Sequence, residues 1–125
     1  MENQKPKKIL LGEDDEKLAI SLTALFLSQG YQTVVAHDAA HAIRSATSED
    51  VGVIVIDLGL PGGGGLFVIE TLRRIPKTSE IPILVLTANI ALGTEEKAKK
   101  MGANDFILKS RNSQELLSKI KTLLA

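Results

Sequence analysis

Residues 51–57 read VGVIVID, a nearly continuous apolar run that stops on an acid. A strand with one wet face alternates apolar and polar residues. A run that is apolar at both parities belongs to a central parallel strand covered on both sides. Apolar runs and helical patterns alternate in both directions from this stretch. Upstream, residues 8–12 (KILLG) read as a short strand. Residues 16–28 carry Leu18, Leu22, Leu25 and Phe26 at helical spacing, and Gly30 sits where a helix-closing glycine belongs. Residues 31–36 (YQTVVA) read as a more polar strand, expected at a sheet edge, and residues 38–47 as an alanine-rich helix opened by Asp38. Downstream, residues 58–65 are a loop and 66–74 a helix. Residues 81–88 (IPILVLTA) are a strand that tolerates Pro82 at its start. Residues 94–101 are a helix closed by Gly102, and residues 105–109 (DFILK) the last strand. A final helix opens at Asn112, with apolar Leu116, Leu117, Ile120, Leu123 and Leu124. Five βα units predict an α/β fold, a doubly wound five-stranded parallel sheet with helices on both faces and right-handed crossovers.

At 125 residues the chain is expected to form one domain, 1–125, with residues 1–7 as a polar tail. Its 44% hydrophobic and 24% charged residues are those of an ordinary globular protein. Fifteen basic and fifteen acidic residues cancel to zero net charge, which argues against direct nucleic-acid binding. The absence of cysteine excludes disulfides, thiolate metal sites and thiol catalysis, and is compatible with a cytoplasmic location. No apolar run reaches the ~18 residues of a membrane span, and the start MENQKPKK lacks a signal-peptide core. The four glycines at 62–65 read simply as a flexible turn, and Lys5, Lys7 and Lys8 as a solvated tail.

In an open α/β sheet, ligands bind outside the carboxyl ends of the strands. The unusual polar residues fall there. Glu13, Asp14 and Asp15 follow the first strand, Asp57 ends the third, Thr87 the fourth and Lys109 the fifth. If the first and third strands are neighbours, ~4.8 Å apart, Asp14 and Asp57 crowd two negative charges into one pocket. Such crowding is costly unless a cation lies between them. An all-oxygen site with one or two carboxylates suits Mg²⁺ or Mn²⁺. A metal, an ammonium and a hydroxyl around one carboxylate are the requirements of phosphoryl transfer to that carboxylate, and Asp57 is the best-placed nucleophile.

The segments ILLGEDD (9–15), VIDLGLPGGGG (55–65), LVLTA (84–88) and GANDFILK (102–109) resemble, in order and spacing, the receiver domain of bacterial two-component response regulators. The resemblance covers nearly the whole chain and implies a flavodoxin-like sheet of order 2-1-3-4-5. It implies that Asp57 is the phospho-acceptor and that Asp14 is a direct Mg²⁺ (or Mn²⁺) ligand. Glu13 would act through water, and the backbone carbonyl of Gly59 would be a further ligand. It also implies that Thr87 is the switch hydroxyl, Phe106 the switch aromatic, and Lys109 the lysine of the site. Expected partners are a sensor histidine kinase or a histidine phosphotransfer protein. A homodimer or a downstream effector would engage the face formed by the fourth helix, fifth strand and fifth helix. The start at Met1 favours a free-standing or N-terminal receiver.

The chain departs from the family pattern at four positions. Gly12 suggests looser packing beneath the acids. Gly64 replaces a frequent aspartate and is expected to serve as a helix cap. Gly59 leaves the second position after Asp57 without a side chain. Ser110 replaces a common proline, so a cis bond after Lys109 would cost ~2.5–4 kcal/mol. Asp15 is expected as a first-turn helix acid rather than a ligand. His37 and His41, four apart, are expected on a solvated helical face rather than around a metal. An aspartyl-phosphate phosphatase would also use a strand-end aspartate and Mg²⁺, but it places a second acid where Gly59 stands. A receiver fold that no longer takes phosphate is the remaining alternative. Neither catalysis beyond the chain's own phosphorylation and dephosphorylation nor membrane association is expected.

Overall fold

The computed structural model describes residues 7–88, 91–109 and 111–125. The chain runs β1 (Lys8–Gly12), α1 (Glu16–Ser28), β2 (Thr33–Ala36), α2 (Ala39–Ser48) and β3 (Val51–Ile56). It continues α3 (Gly64–Arg74), β4 (Ile83–Thr87), α4 (Thr94–Met101), β5 (Asp105–Leu108) and α5 (Ser113–Leu124). All strand pairs are parallel, in the order β2-β1-β3-β4-β5. This is the flavodoxin-like arrangement expected from the sequence, with β2 at an edge and β3 in the middle.

Strand alternation sends side chains to two separate cores. Leu10, Ile54, Ile56, Ile83, Val85 and Phe106 pack against α2, α3 and α4. Ile9, Leu11, Val53, Val55, Leu84, Leu86 and Ile107 pack against α1 and α5. Phe106 therefore lies opposite Ile107, as the alternation requires.

Several boundaries shift for identifiable reasons. β2 starts at Thr33, not Tyr31, because the Tyr31 N–H donates to Phe26 O (3.0 Å) and closes α1 in a Schellman motif around Gly30. β4 starts at Ile83, not Ile81. Pro82 has no N–H, and the Ile81 N–H closes a turn on Thr78 O (3.2 Å). Asp38 and Asn112 are N-caps, accepting from His41 N and Glu115 N, and lie just outside their helices. Asp15 is likewise the N-cap of α1, accepting from Leu18 N at 3.1 Å, rather than a first-turn residue. α3 begins at Gly64, with Gly63 in the cap position expected of Gly64.

The looser packing expected at Gly12 is absent. A Cβ there would lie 3.0 Å from Ile56 Cγ1 and 3.4 Å from Leu60 Cδ2, so larger side chains already fill the space. His37 precedes the α2 cap and does not share a helical face with His41. Its Nδ1 lies 3.0 Å from the Glu13 carbonyl oxygen. The expectations for the tail at 1–6 and for the Lys109–Ser110 bond fall outside the described residues.

Candidate functional site

Parallel register gathers the strand-end residues. Gly12 pairs with Ile56, Ile56 with Val85, and Thr87 with Leu108. The residues that follow β1, β3 and β5 therefore emerge side by side with Thr87 at one end of the sheet. Two backbone bonds extend the ladder past the strands, Asp57 N–H to Gly12 O at 3.0 Å and Lys109 N–H to Thr87 O at 2.8 Å. They fix the Cα positions of the acid and the base.

Glu13 is 1% exposed and Asp57 9%, whereas Asp14 faces solvent. Carboxylate oxygens of these three residues lie within 4.8 Å of one another. Buried like charges at such range need compensation. The Lys109 ammonium supplies it, 2.9 Å from Glu13 Oε1 and 3.0 Å from Asp57 Oδ2. Only the Asp57 contact has hydrogen-bond geometry. Glu13 Oε1 is compensated by charge alone. Burial pushes the Lys109 pKa down, but the Glu13 and Asp57 carboxylates outweigh it and raise the ammonium above the ordinary lysine value. The other Asp57 oxygen, Oδ1, accepts from Gly59 N–H at 3.1 Å. Glu13 Oε2 accepts from Asp15 N–H at 3.0 Å.

Thr87 is buried at the end of β4. Phe106 lies on the same sheet face, because Val85 pairs with Phe106 and Thr87 with Leu108. The structure therefore brings Glu13, Asp14, Asp57, Gly59, Thr87 and Lys109 to one sheet end, with Phe106 one step below. The donor set of three clustered carboxylates is hard and all-oxygen, which fits Mg²⁺ or Mn²⁺.

The glycine run corrects the reading as a mere flexible turn. Gly62, Gly63 and Gly64 all have positive φ (89°, 132° and 88°), a region that disfavours other residues. A Cβ on Gly65 would sit 2.6 Å from Asp57 O and 2.9 Å from Leu58 Cα. α3 therefore starts directly against the backbone that carries Asp57. The run's position in the loop that follows an acid-ended strand was the sequence signal for that role.

Among the described residues no helix is long and apolar enough to cross a membrane. The family model described as "Response regulator receiver domain" matches residues 9–121. An uncharacterised transcriptional regulatory protein of Bacillus subtilis (strain 168), YkoG, is 33% identical over 93% of this chain and 50% of its own length. The phosphate regulon transcriptional regulatory protein PhoB of Klebsiella pneumoniae is 32% identical over 94% of this chain and 52% of its own. The chain thus spans about half the length of these curated relatives. Among solved structures, the receiver domain of a sensor histidine kinase from Pseudomonas aeruginosa PAO1 superposes with a TM-score of 0.88. It is 28% identical, covers 96% of this chain and 98% of its own, and has a magnesium ion coordinated in its active-site cleft. Since the family match runs from within β1 to within α5, the chain belongs to the response regulator receiver domains of two-component signalling.

Proposed function

We propose that this receiver is a phosphorylation-driven switch in which Asp57 accepts a phosphoryl group from a phosphohistidine. The donor is a sensor histidine kinase or a histidine phosphotransfer protein. A carboxylate oxygen of Asp57 attacks phosphorus, the new O–P bond forms, and the N–P bond to the imidazole breaks. The imidazole nitrogen keeps the electron pair and takes a proton. The observation that carries this reading is the Lys109 ammonium held 3.0 Å from Asp57 Oδ2 beside two further carboxylates. That charge is in place to pair with a phosphoryl oxygen without reorganisation.

Asp14 and Asp57 would hold Mg²⁺ or Mn²⁺ directly, with the Gly59 carbonyl as a third protein ligand and Glu13 acting through water. The bound cation supplies neutralisation of charge on the phosphoryl oxygens. Thr87 donates its hydroxyl to a phosphoryl oxygen and moves towards it. Phe106 follows on the same sheet face, and the change is read on the surface of α4, β5 and α5 by an effector or a second copy. Phe106 is already 7% exposed, which supports an inward state reached without phosphate. The chain acts only on its own acyl phosphate, in the cytoplasm and without touching nucleic acid directly.

The test is incubation with a small phosphodonor such as acetyl phosphate and Mg²⁺. One phosphoryl group gained per chain, with no turnover of unrelated phosphate esters, is expected. Sustained ester turnover would instead indicate a phosphatase.

A further inference from the structure

Arg73, near the end of α3, spends all five of its N–H donors on groups outside its helix, three of them on residues about thirty positions away. Nε and Nη2 donate to Gly102 O at 3.0 and 2.9 Å. Nη1 donates to Thr78 O and Ser79 O, each at 3.1 Å, and Nη2 also to Asn104 Oδ1 at 3.0 Å. Asn104 in turn accepts from Ile83 N–H (2.8 Å) and donates its own N–H to Ile83 O (2.8 Å). Among the described residues no carboxylate pairs with the guanidinium. Its charge is compensated by carbonyls, including that of Gly102, the C-cap of α4, where the helix dipole favours a cation.

The fit is steric as well as polar. Gly102 has φ +126°, and a Cβ there would lie 2.6 Å from Arg73 Cγ and 2.9 Å from Nε. The arginine stem occupies the place a side chain would need. Behind it, Gly102 N–H reaches Lys99 O (3.1 Å) and Ala103 N–H reaches Ala98 O (2.9 Å), which closes the last turn.

Among the described residues, the other end of α4 has no comparable side-chain anchor. Its N-cap is Gly93, with φ +84° and no side-chain cap. Leu92 before it is fully exposed, and the one buried residue of the helix is Ala98, in its second half.

We infer that Arg73 is a positioning residue that pins the C-terminal end of α4 to α3 and β4, so that α4 moves about that end. The anchor stands on the contacts above. What drives the movement rests on the phosphorylation reading.

The experiment is residue-resolved amide exchange and chemical-shift mapping by NMR. It uses wild type, Arg73→Lys and Arg73→Met, with Mg²⁺ alone and with Mg²⁺ plus beryllofluoride, a phosphoryl mimic. In wild type with Mg²⁺ alone, the Ala103 and Asn104 amides are expected to exchange about tenfold more slowly than that of Lys97. Lysine keeps the charge but cannot reach four acceptors from one nitrogen, so Arg73→Lys is expected to lose about tenfold in protection at residues 102–104. Protection of β3 should stay unchanged in that variant. With the mimic, wild-type shifts should concentrate in the first half of α4, and in Arg73→Lys they should spread to Gly102 and Ala103. Retained protection at 102–104 in both variants overturns the anchor. Equal mimic-induced shifts at both ends of α4 in wild type overturn the pivot. If the mimic shifts nothing while the exchange difference persists, the anchor stands and the phosphorylation reading fails.

Discussion

The Lys109 ammonium lies 3.0 Å from Asp57 Oδ2, joining residues 52 positions apart. It compensates both Asp57 and the almost fully buried Glu13. Removing one partner of such a set leaves the other charges in a poor solvent.

Lys109→Met is therefore expected to destabilise the fold at neutral pH. Lys109 is partly solvated, so the cost should fall below that of a fully buried pair, at ~1–3 kcal/mol. The sign of its pH dependence follows from the raised pKa. The contribution is complete below the ordinary lysine value of 10.5 and is lost as pH rises through the higher folded value. Urea unfolding of both proteins from pH 7 upwards should show the gap narrowing in the alkaline limb. A gap that widens there would contradict the assignment.

Two glycines near Asp57 should differ sharply in their tolerance of alanine. Gly65→Ala forces a Cβ to 2.6 Å from the Asp57 carbonyl oxygen and 2.9 Å from Leu58 Cα, both backbone atoms that cannot swing aside. A loss of ~2–4 kcal/mol is expected. Gly59 has no positive φ, and a Cβ there would meet the Asp57 oxygens at an ordinary 3.8 Å. Gly59→Ala should stay within ~0.5 kcal/mol of wild type by chemical denaturation.

Gly12 and Gly65 mark the boundary of what the sequence made legible. Val51–Ile56 announced a central strand through its apolar run, and the acids at strand ends announced the site, because both signals are local. Gly12 and Gly65 were misread because their neighbours, Ile56 and the Asp57 carbonyl, are supplied by folding. The burial of Glu13 and its sharing of Lys109 with Asp57 depend on β1, β3 and β5 meeting at one sheet end. Arg73 reaches Gly102 across 29 positions and carries no motif at all.

Divalent metal should stabilise the fold through the Glu13, Asp14 and Asp57 cluster. Binding to the folded state alone contributes ~2.7 kcal/mol at a hundredfold excess over Kd. Thermal melts with and without millimolar Mg²⁺ should show a higher Tm in wild type and a much smaller shift in Asp14→Asn. An undiminished shift in that variant would place the metal elsewhere.

Thr87 and Phe106 share one face of the sheet at a two-residue offset in register. With beryllofluoride and Mg²⁺, amide shifts in wild type should extend from the Asp57 loop to Phe106 and α4. In Thr87→Ala they should stop at the loop. A response around Phe106 that survives loss of the hydroxyl would break the proposed link.

The most direct test of the account is the site of phosphorylation. Wild type, Asp57→Asn and Asp14→Asn are incubated with acetyl phosphate and Mg²⁺, and intact mass is followed by peptide mapping. The expected result is one phosphoryl group per wild-type chain, confined to the peptide that carries Asp57, none on Asp57→Asn and slow labelling of Asp14→Asn. Full labelling of Asp57→Asn, or a label mapped to any other residue of the wild type, would contradict it.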